Sequence, residues 1–243
     1  MGGPTTRNRL LQALPPDELD RLLPQFERVD VHKGEVLMSI GEPTEFAYFP
    51  EGGLSSNLMV TGEGRRVEVG CFGFEGMVSS ATALASDRSP HEVQVEVGAP
   101  WLRIRAEVLR SAIQSSPALH TLLIRYAHTL TLTVSQTAMS NGVNSIEERL
   151  ARWILMAQDR LEGDEVPLTH DFLSIMLATQ RSSVTLAMQA LEGYGAIRAK
   201  RARIIVRDRD MLCDLAGNSY GPAEAEYERL IGSFRDKPPP HSG

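Results

Sequence analysis

Three hydrophobic rhythms succeed one another along the chain. Leu10 to Leu23 has helical spacing, and Pro15-Pro16 divides it into two short pieces. From Val29 to Ile104 the pattern changes to brief strand-like runs: EVLMSI, FAYFP, LSSNLMV, RRVEVGCF, HEVQVEV and WLRI. Gly34, Gly41, Gly52-Gly53, Gly62, Gly64, Gly70 and Gly98 punctuate them. Short strands broken by turns predict a compact β barrel or double sheet of about 75 residues. Helical periodicity returns after Ala106, where Leu109 and Ile113 mark a short helix and Pro117 opens a longer one. Its apolar stripe runs through Leu119, Leu122, Leu123, Tyr126, Leu130, Leu132 and Val134 toward Met139. Asn141-Gly142 predicts a break and a hinge. Ser145 and Glu148 then have capping-box spacing at the head of IEERLARWILMAQDRL. In that helix Ile146, Leu150, Trp153, Ile154, Ala157 and Leu161 share a face that should bury against the C-terminal unit.

That unit, Leu168 to Arg207, reads as a complete winged helix-turn-helix. Thr169 can cap a first helix whose inward face is Phe172, Leu173, Met176 and Leu177. After a turn through Thr179, a second helix starts at Gln180 or Ser182, with Val184, Ala187, Met188 and Leu191 inward. Gln180, Arg181, Ser183, Thr185 and Gln189 are left largely outside. Gly193 and Gly195 end it and lead into a hairpin, Ile197 to Val206, whose apolar face alternates with Arg198, Lys200, Arg201, Arg203 and Arg207. Arg, Gln, Ser and Thr on a helix beside a basic ribbon suit base edges and flanking phosphates.

Charge sharpens this picture once it is divided along the chain. The whole protein carries a formal net charge of -6. Residues 1–115 hold 16 acidic and 11 basic side chains, whereas 198–209 hold six basic groups against Asp208 alone. Positive charge is therefore local to the hairpin, and local charge governs phosphate contact. The long helix is the opposite case: Arg125 is the one charged residue between 116 and 142. Such a helix should be covered on more than one side, by its own barrel and by a partner helix. The expected dimer interface is Leu119, Leu123, Tyr126, Leu130 and Val134. Cys71 and Cys213, the only cysteines, exclude a four-cysteine iron-sulfur or zinc centre supplied by one chain. No apolar signal core and no membrane-length run is present, so a cytoplasmic protein without a membrane partner is expected. The ends, GGPTTR and KPPPHSG, read as disordered tails.

The order of barrel, long helix, hinge and winged helix-turn-helix resembles the cyclic-AMP receptor and fumarate-nitrate regulator (CRP/FNR) family over roughly residues 10–212. The strings that carry the resemblance are KGEVLMSIGEPTEFAYFPEGG, SIEERLARWIL and LTHDFLSIMLATQRSSVTLAMQALEGYGAI. It implies an α+β chain with an N-terminal β jelly roll of the cyclic-nucleotide-binding type at 10–115. A dimerisation helix and hinge at 116–142, a winged helix-turn-helix at 143–215 and a tail at 216–243 complete it. It also implies a homodimer on palindromic double-stranded DNA, with RNA polymerase as a further partner and regulation rather than catalysis. Arg181 matches the family's leading recognition arginine, which can pair with guanine. Ser182 stands where glutamate is common, and Leu186 where the cyclic-AMP type has another arginine. The expected DNA-binding residues are Thr169, Gln180, Arg181, Ser182, Ser183, Thr185, Gln189, Lys200 and Arg203.

For an effector, the resemblance points to a phosphate cassette built from Gly73, Glu75, Gly76, Arg88 and Ser89. Its order departs from the family pattern: Glu75 precedes Gly76, Arg88 lies 13 residues beyond Glu75, and Pro90 removes an amide donor. GFEGMV is closer to a branch whose members need not bind cyclic AMP, so the expectation is a regulator independent of it and without a cofactor. His32, His91, His120 and His128 form no ligand-spacing motif, and Cys71 between Gly70 and Phe72 reads as a small core residue. A signal-binding module acting on a protein partner is the alternative reading. No zinc-protease motif, P-loop or nucleophile elbow favours an enzyme.

Overall fold

The computed structural model describes residues 5–235. Two short helices, α1 (Arg9–Gln12) and α2 (Pro16–Leu22), open the chain where the Pro15-Pro16 break was expected. Seven strands come next: β1 (Glu27–Val31), β2 (Val36–Met38), β3 (Phe46–Pro50), β4 (Leu54–Val60), β5 (Arg66–Phe72), β6 (Glu92–Val97) and β7 (Ala99–Arg105). A single-turn helix, α3 (Ser80–Ala83), interrupts them. They pair antiparallel into two open sheets, β1-β7-β3 and β2-β6-β4-β5. Among the described residues no ladder joins one sheet to the other, so the expected barrel is an open double-sheet arrangement. Trp101, Phe49, Val95 and Leu58 are buried between the layers and their helical covers.

Helix α4 (Ala106–Ser115) leads into α5 (Pro117–Val143), whose Ser116 cap accepts from Leu119 N–H at 3.0 Å. Helix α5 runs straight through Asn141-Gly142, and the chain breaks instead at Asn144, in extended conformation. Gly142 lies in the last turn, where the cost of one helical glycine is small. The capping box of α6 (Ile146–Gln158) is present in both directions, with Ser145 N–H donating to Glu148 at 2.6 Å. The winged unit comprises β8 (Glu165–Val166), α7 (His170–Met176), α8 (Arg181–Gly193), β9 (Ile197–Lys200) and β10 (Arg203–Val206). Its sheet order is β8-β10-β9.

Two further expectations change. Leu119, Leu123 and Tyr126 are turned into their own chain's core, against Leu10, Phe49, Met77 and Ile104. They are not available to a partner. Leu130 also packs on this core, and only Val134 of the five lies on an exposed face. Second, the described part of the stretch expected to be a tail, residues 216–235, is largely folded. Helix α9 (Arg209–Ala216) packs on α6, and α10 (Pro222–Leu230) lies back along α5 with Tyr227 buried. The expected disordered end KPPPHSG and the Gly2–Pro4 part of the other lie outside the described residues. Among the described residues no helix is long and apolar enough to cross a membrane.

Candidate nucleic-acid interface

The reading head is assembled from short-range rules. Thr169 caps α7 by accepting from Phe172 N–H at 3.2 Å. Ala178, at φ +45°, turns the chain, and Thr179 N–H donates to Ser174 O at 2.9 Å, which closes the turn before α8. Val184, Ala187, Met188 and Leu191 on α8 are buried against α6 and α7. Trp153 meets Phe172 edge-on at 5.6 Å and fixes the first helix against α6. Burying that stripe forces the opposite face outward.

The structure gathers most of the expected contact residues on that outward face and on the hairpin. Gln180 is the N-cap of α8, and Arg181, Ser182 and Gln189 are exposed. Arg181 reaches Asp171 of α7 at 3.2 Å in an exposed ion pair. Ser183 is half-buried. Thr185 is half-buried and donates to Arg181 O at 3.0 Å, with His170 Nδ1 at 3.3 Å, so its hydroxyl is already engaged. Lys200 is exposed, as are Arg198, Arg201 and Arg207; Arg203 is held by Glu165 at 3.0 Å. Thr169 is spent on its cap. Sequence reasoning missed Asp171 as a competitor for Arg181. The signal was a carboxylate in the first turn of the preceding helix.

The candidate effector cassette is not assembled as a pocket. Glu75 is buried; its carboxylate accepts from Arg160 Nε at 2.7 Å and from Gly73 N–H at 3.0 Å, and its backbone oxygen accepts from Tyr227 Oη at 2.5 Å. A Cβ on Gly76 would stand 2.0 Å from Tyr126 Oη, and one on Gly73 would stand 2.6 Å from Arg160 Cβ. The two glycines let this chain's own side chains close over the turn. Asn8 Nδ2 seals it further by donating to Gly76 O at 2.7 Å. Arg88 is exposed and donates to Gly41 O at 2.6 Å, while the buried Ser89 donates to His91 O at 2.7 Å. Among the described residues no group of three His, Cys, Asp or Glu could hold a metal ion. Cys71 is buried, and burial pushes its thiol pKa up, which suits a core residue.

A second polar cluster, unforeseen from the sequence, sits where the winged unit meets the β2-β6-β4-β5 sheet. Glu68 of β5 accepts from Trp153 Nε1 at 2.9 Å and from Ser56 Oγ at 2.7 Å. Ser56 Oγ also lies 3.4 Å from Met176 Sδ of α7. Burial pushes Glu68 up to about 7, against the opposing pull of those hydrogen bonds and of Arg152 and Arg160. Burial and the Glu68 charge together raise neighbouring Glu96 to about 8.

A double-sheet domain joined by one long helix to a winged helix-turn-helix with an open polar face defines a DNA-binding regulator. Residues 148–215 match the family model of the Crp-like helix-turn-helix domain. Among curated proteins, none matches the chain by sequence. Solved structures with the same fold include FixK2 from Bradyrhizobium japonicum, at 16% identity and TM-score 0.69, covering 79% of this chain and 98% of that one. A putative transcriptional regulator of the CRP/FNR family from Eubacterium rectale aligns at 16% identity and TM-score 0.65, covering 85% and 97%. The c-di-GMP-responsive global regulator CLP from Xanthomonas campestris aligns at 15% identity and TM-score 0.64, covering 79% and 99%. Residues 148–215 are thus a Crp-like helix-turn-helix domain, and the chain as a whole shares its fold with solved structures of the CRP/FNR family.

Proposed function

We propose that the protein is a homodimeric regulator that reads a two-fold-related DNA site without a cyclic nucleotide. The observation that carries DNA reading is the joint exposure of Arg181, Ser182 and Gln189 on α8 beside Lys200, Arg201 and Arg203 on the hairpin. Gln180 and Ser183, at the start of the helix, would contact backbone phosphates, while Thr185 donates to the Arg181 backbone oxygen. Two copies would set their α8 helices about 34 Å apart, in successive major grooves.

The support for a dimer is the uncovered face of α5. Ile124, Thr131, Ser135 and Ala138 recur at helical steps and are exposed, with Val134, Met139 and Val143 on the flanks. Val143 is 77% exposed. His128, one turn after Ile124, is met by Glu226 of α10 at 3.3 Å, and from Thr131 to Val143 the exposed face has no ionisable residue, which suits it to its own copy. Independence from cyclic nucleotide is supported by the occupied turn: Arg160, Tyr126 and Tyr227 fill the space around Glu75 that a cyclic phosphate and ribose would need. RNA polymerase is the partner through which such a regulator would act.

Selection of bound fragments from random duplex DNA, by full-length protein with no nucleotide added, tests the reading. A palindromic site and a sedimentation mass of two chains are expected. Strict dependence on added cyclic AMP, or a solitary chain on the DNA, would overturn it.

A further inference from the structure

Deepening that DNA-reading assignment, we infer that Leu186 makes the apolar base contact of α8, reading the C5-methyl group of a thymine in each half-site. In α8 the buried residues Val184, Ala187, Met188 and Leu191 define an inward direction. At about 100° per residue, Ser182, Leu186, Gln189 and Gly193 fall within about 30° of the line opposite. Leu186 is 65% exposed and is the one large apolar side chain on that line. Ser182 is short, and Gly193 has no side chain.

The neighbours make this a groove surface, not a protein-docking patch. Ser182, four residues before, and Gln189, three after, flank Leu186 with hydrogen-bonding groups, Arg181 opens the same helix, and the wing adds Arg198, Lys200 and Arg201 on the same unit. Such charge complements phosphates on both sides of a groove. A leucine has no donor or acceptor, so it cannot distinguish guanine, cytosine or adenine by hydrogen bonding. The one apolar group that a base pair presents in the major groove is the thymine methyl. An exposed leucine seated between polar readers therefore selects thymine at its step, and Leu186 leaves water only when the methyl covers it.

The experiment uses full-length protein and the duplex obtained by selection, with each thymine replaced in turn by deoxyuridine. That change removes the methyl and leaves every hydrogen-bonding group in place. The parent is expected to lose about fourfold in affinity per half-site at one symmetric thymine step, the effect of one buried methyl. Leu186→Ala, at an exposed position that leaves folding intact, is expected to bind the two duplexes equally. Leu186→Arg is expected to move the preference at that step to guanine, through a bidentate contact. Equal affinity of the parent for all thymine and uracil duplexes overturns the inference while leaving the regulator reading standing. So does a Leu186→Ala variant that keeps the parent's ratio, as it would if Leu186 met a protein instead. Failure of selection to yield any site overturns both.

Discussion

Arg160 of the DNA-reading unit donates to Glu75 of the sheet domain at 2.7 Å, with both side chains almost wholly buried. The pair ties the end of α6 to the turn after β5, and Tyr227 secures the same residue through its backbone oxygen. Its two charges are out of water and depend on each other. Glu75→Ala should destabilise the protein by about 3–5 kcal/mol, because it strands the guanidinium. Replacing both, as Glu75→Met with Arg160→Met, should recover most of that loss. Urea denaturation of the parent and both variants checks this; a Glu75→Ala cost under about 1 kcal/mol would contradict it.

Gly76 and Tyr126 form an equally demanding pair. A methyl at 76 would overlap the tyrosine hydroxyl oxygen at 2.0 Å and ring carbons at 2.4 and 2.5 Å. Gly76→Ala should cost about 1–3 kcal/mol through overpacking. In a Tyr126→Ala background the added cost should largely vanish. A double-mutant cycle with additive effects would show that the turn relaxes elsewhere.

Stability should also fall as the solution becomes alkaline. Glu68 is raised to about 7 by burial, so it holds its proton in the folded state at pH values where the unfolded chain has lost it. Its contribution is complete below the ordinary carboxylate range and is lost as pH climbs through about 7, by at most roughly 3 kcal/mol. The geometry gives a reason: Ser56 has one hydroxyl proton and two acceptors, Glu68 and Met176. A protonated Glu68 can donate to Ser56, which frees Ser56 to donate to Met176. Glu68→Gln should flatten the profile between about pH 5 and 8 in thermal melts. An unchanged slope in that variant would assign the dependence to other groups, Glu96 first among them.

DNA recognition should respond to Arg181 and Asp171 in opposite directions. Arg181→Ala should lose about 1–3 kcal/mol of discrimination at one base step while folding changes by under about 0.5 kcal/mol. Asp171→Asn releases Arg181 from its 3.2 Å partner and should tighten operator binding a few-fold at low salt. Fluorescence anisotropy with matched and single-mismatch duplexes separates these effects. Weaker binding by Asp171→Asn would mean that the pair orients Arg181 productively.

The hairpin should act without regard to sequence. Lys200→Ala and Arg203→Ala are each expected to weaken all duplexes alike and to lower the slope of log affinity against log salt by about 1. Arg203 must first leave Glu165, so its effect should be the smaller of the two.

Local pattern was enough for the reading head. The Thr169 cap, the inward stripe Val184, Ala187, Met188 and Leu191, and the Ser145–Glu148 box all depend on neighbours within one or two helical turns, and each is where its spacing put it. The strand runs were legible for the same reason, since alternation and glycine punctuation are local. What covers a surface is a different matter, because it depends on residues far away in the chain. Leu119, Leu123 and Tyr126 look identical to Ile124 and Val134 as members of an apolar helix; only the docking of α1 and the sheets decides which are inside. Glu68 shows the same limit. It alternates with Val67 and Val69 as an outward-facing polar residue should, yet α6 and α7 lie over that face and leave it buried. Glu75 had the composition of a ligand contact, but Arg160, 85 residues later, reached it first. Periodicity encodes which side of an element is apolar, and long-range packing alone selects the atoms that meet that side.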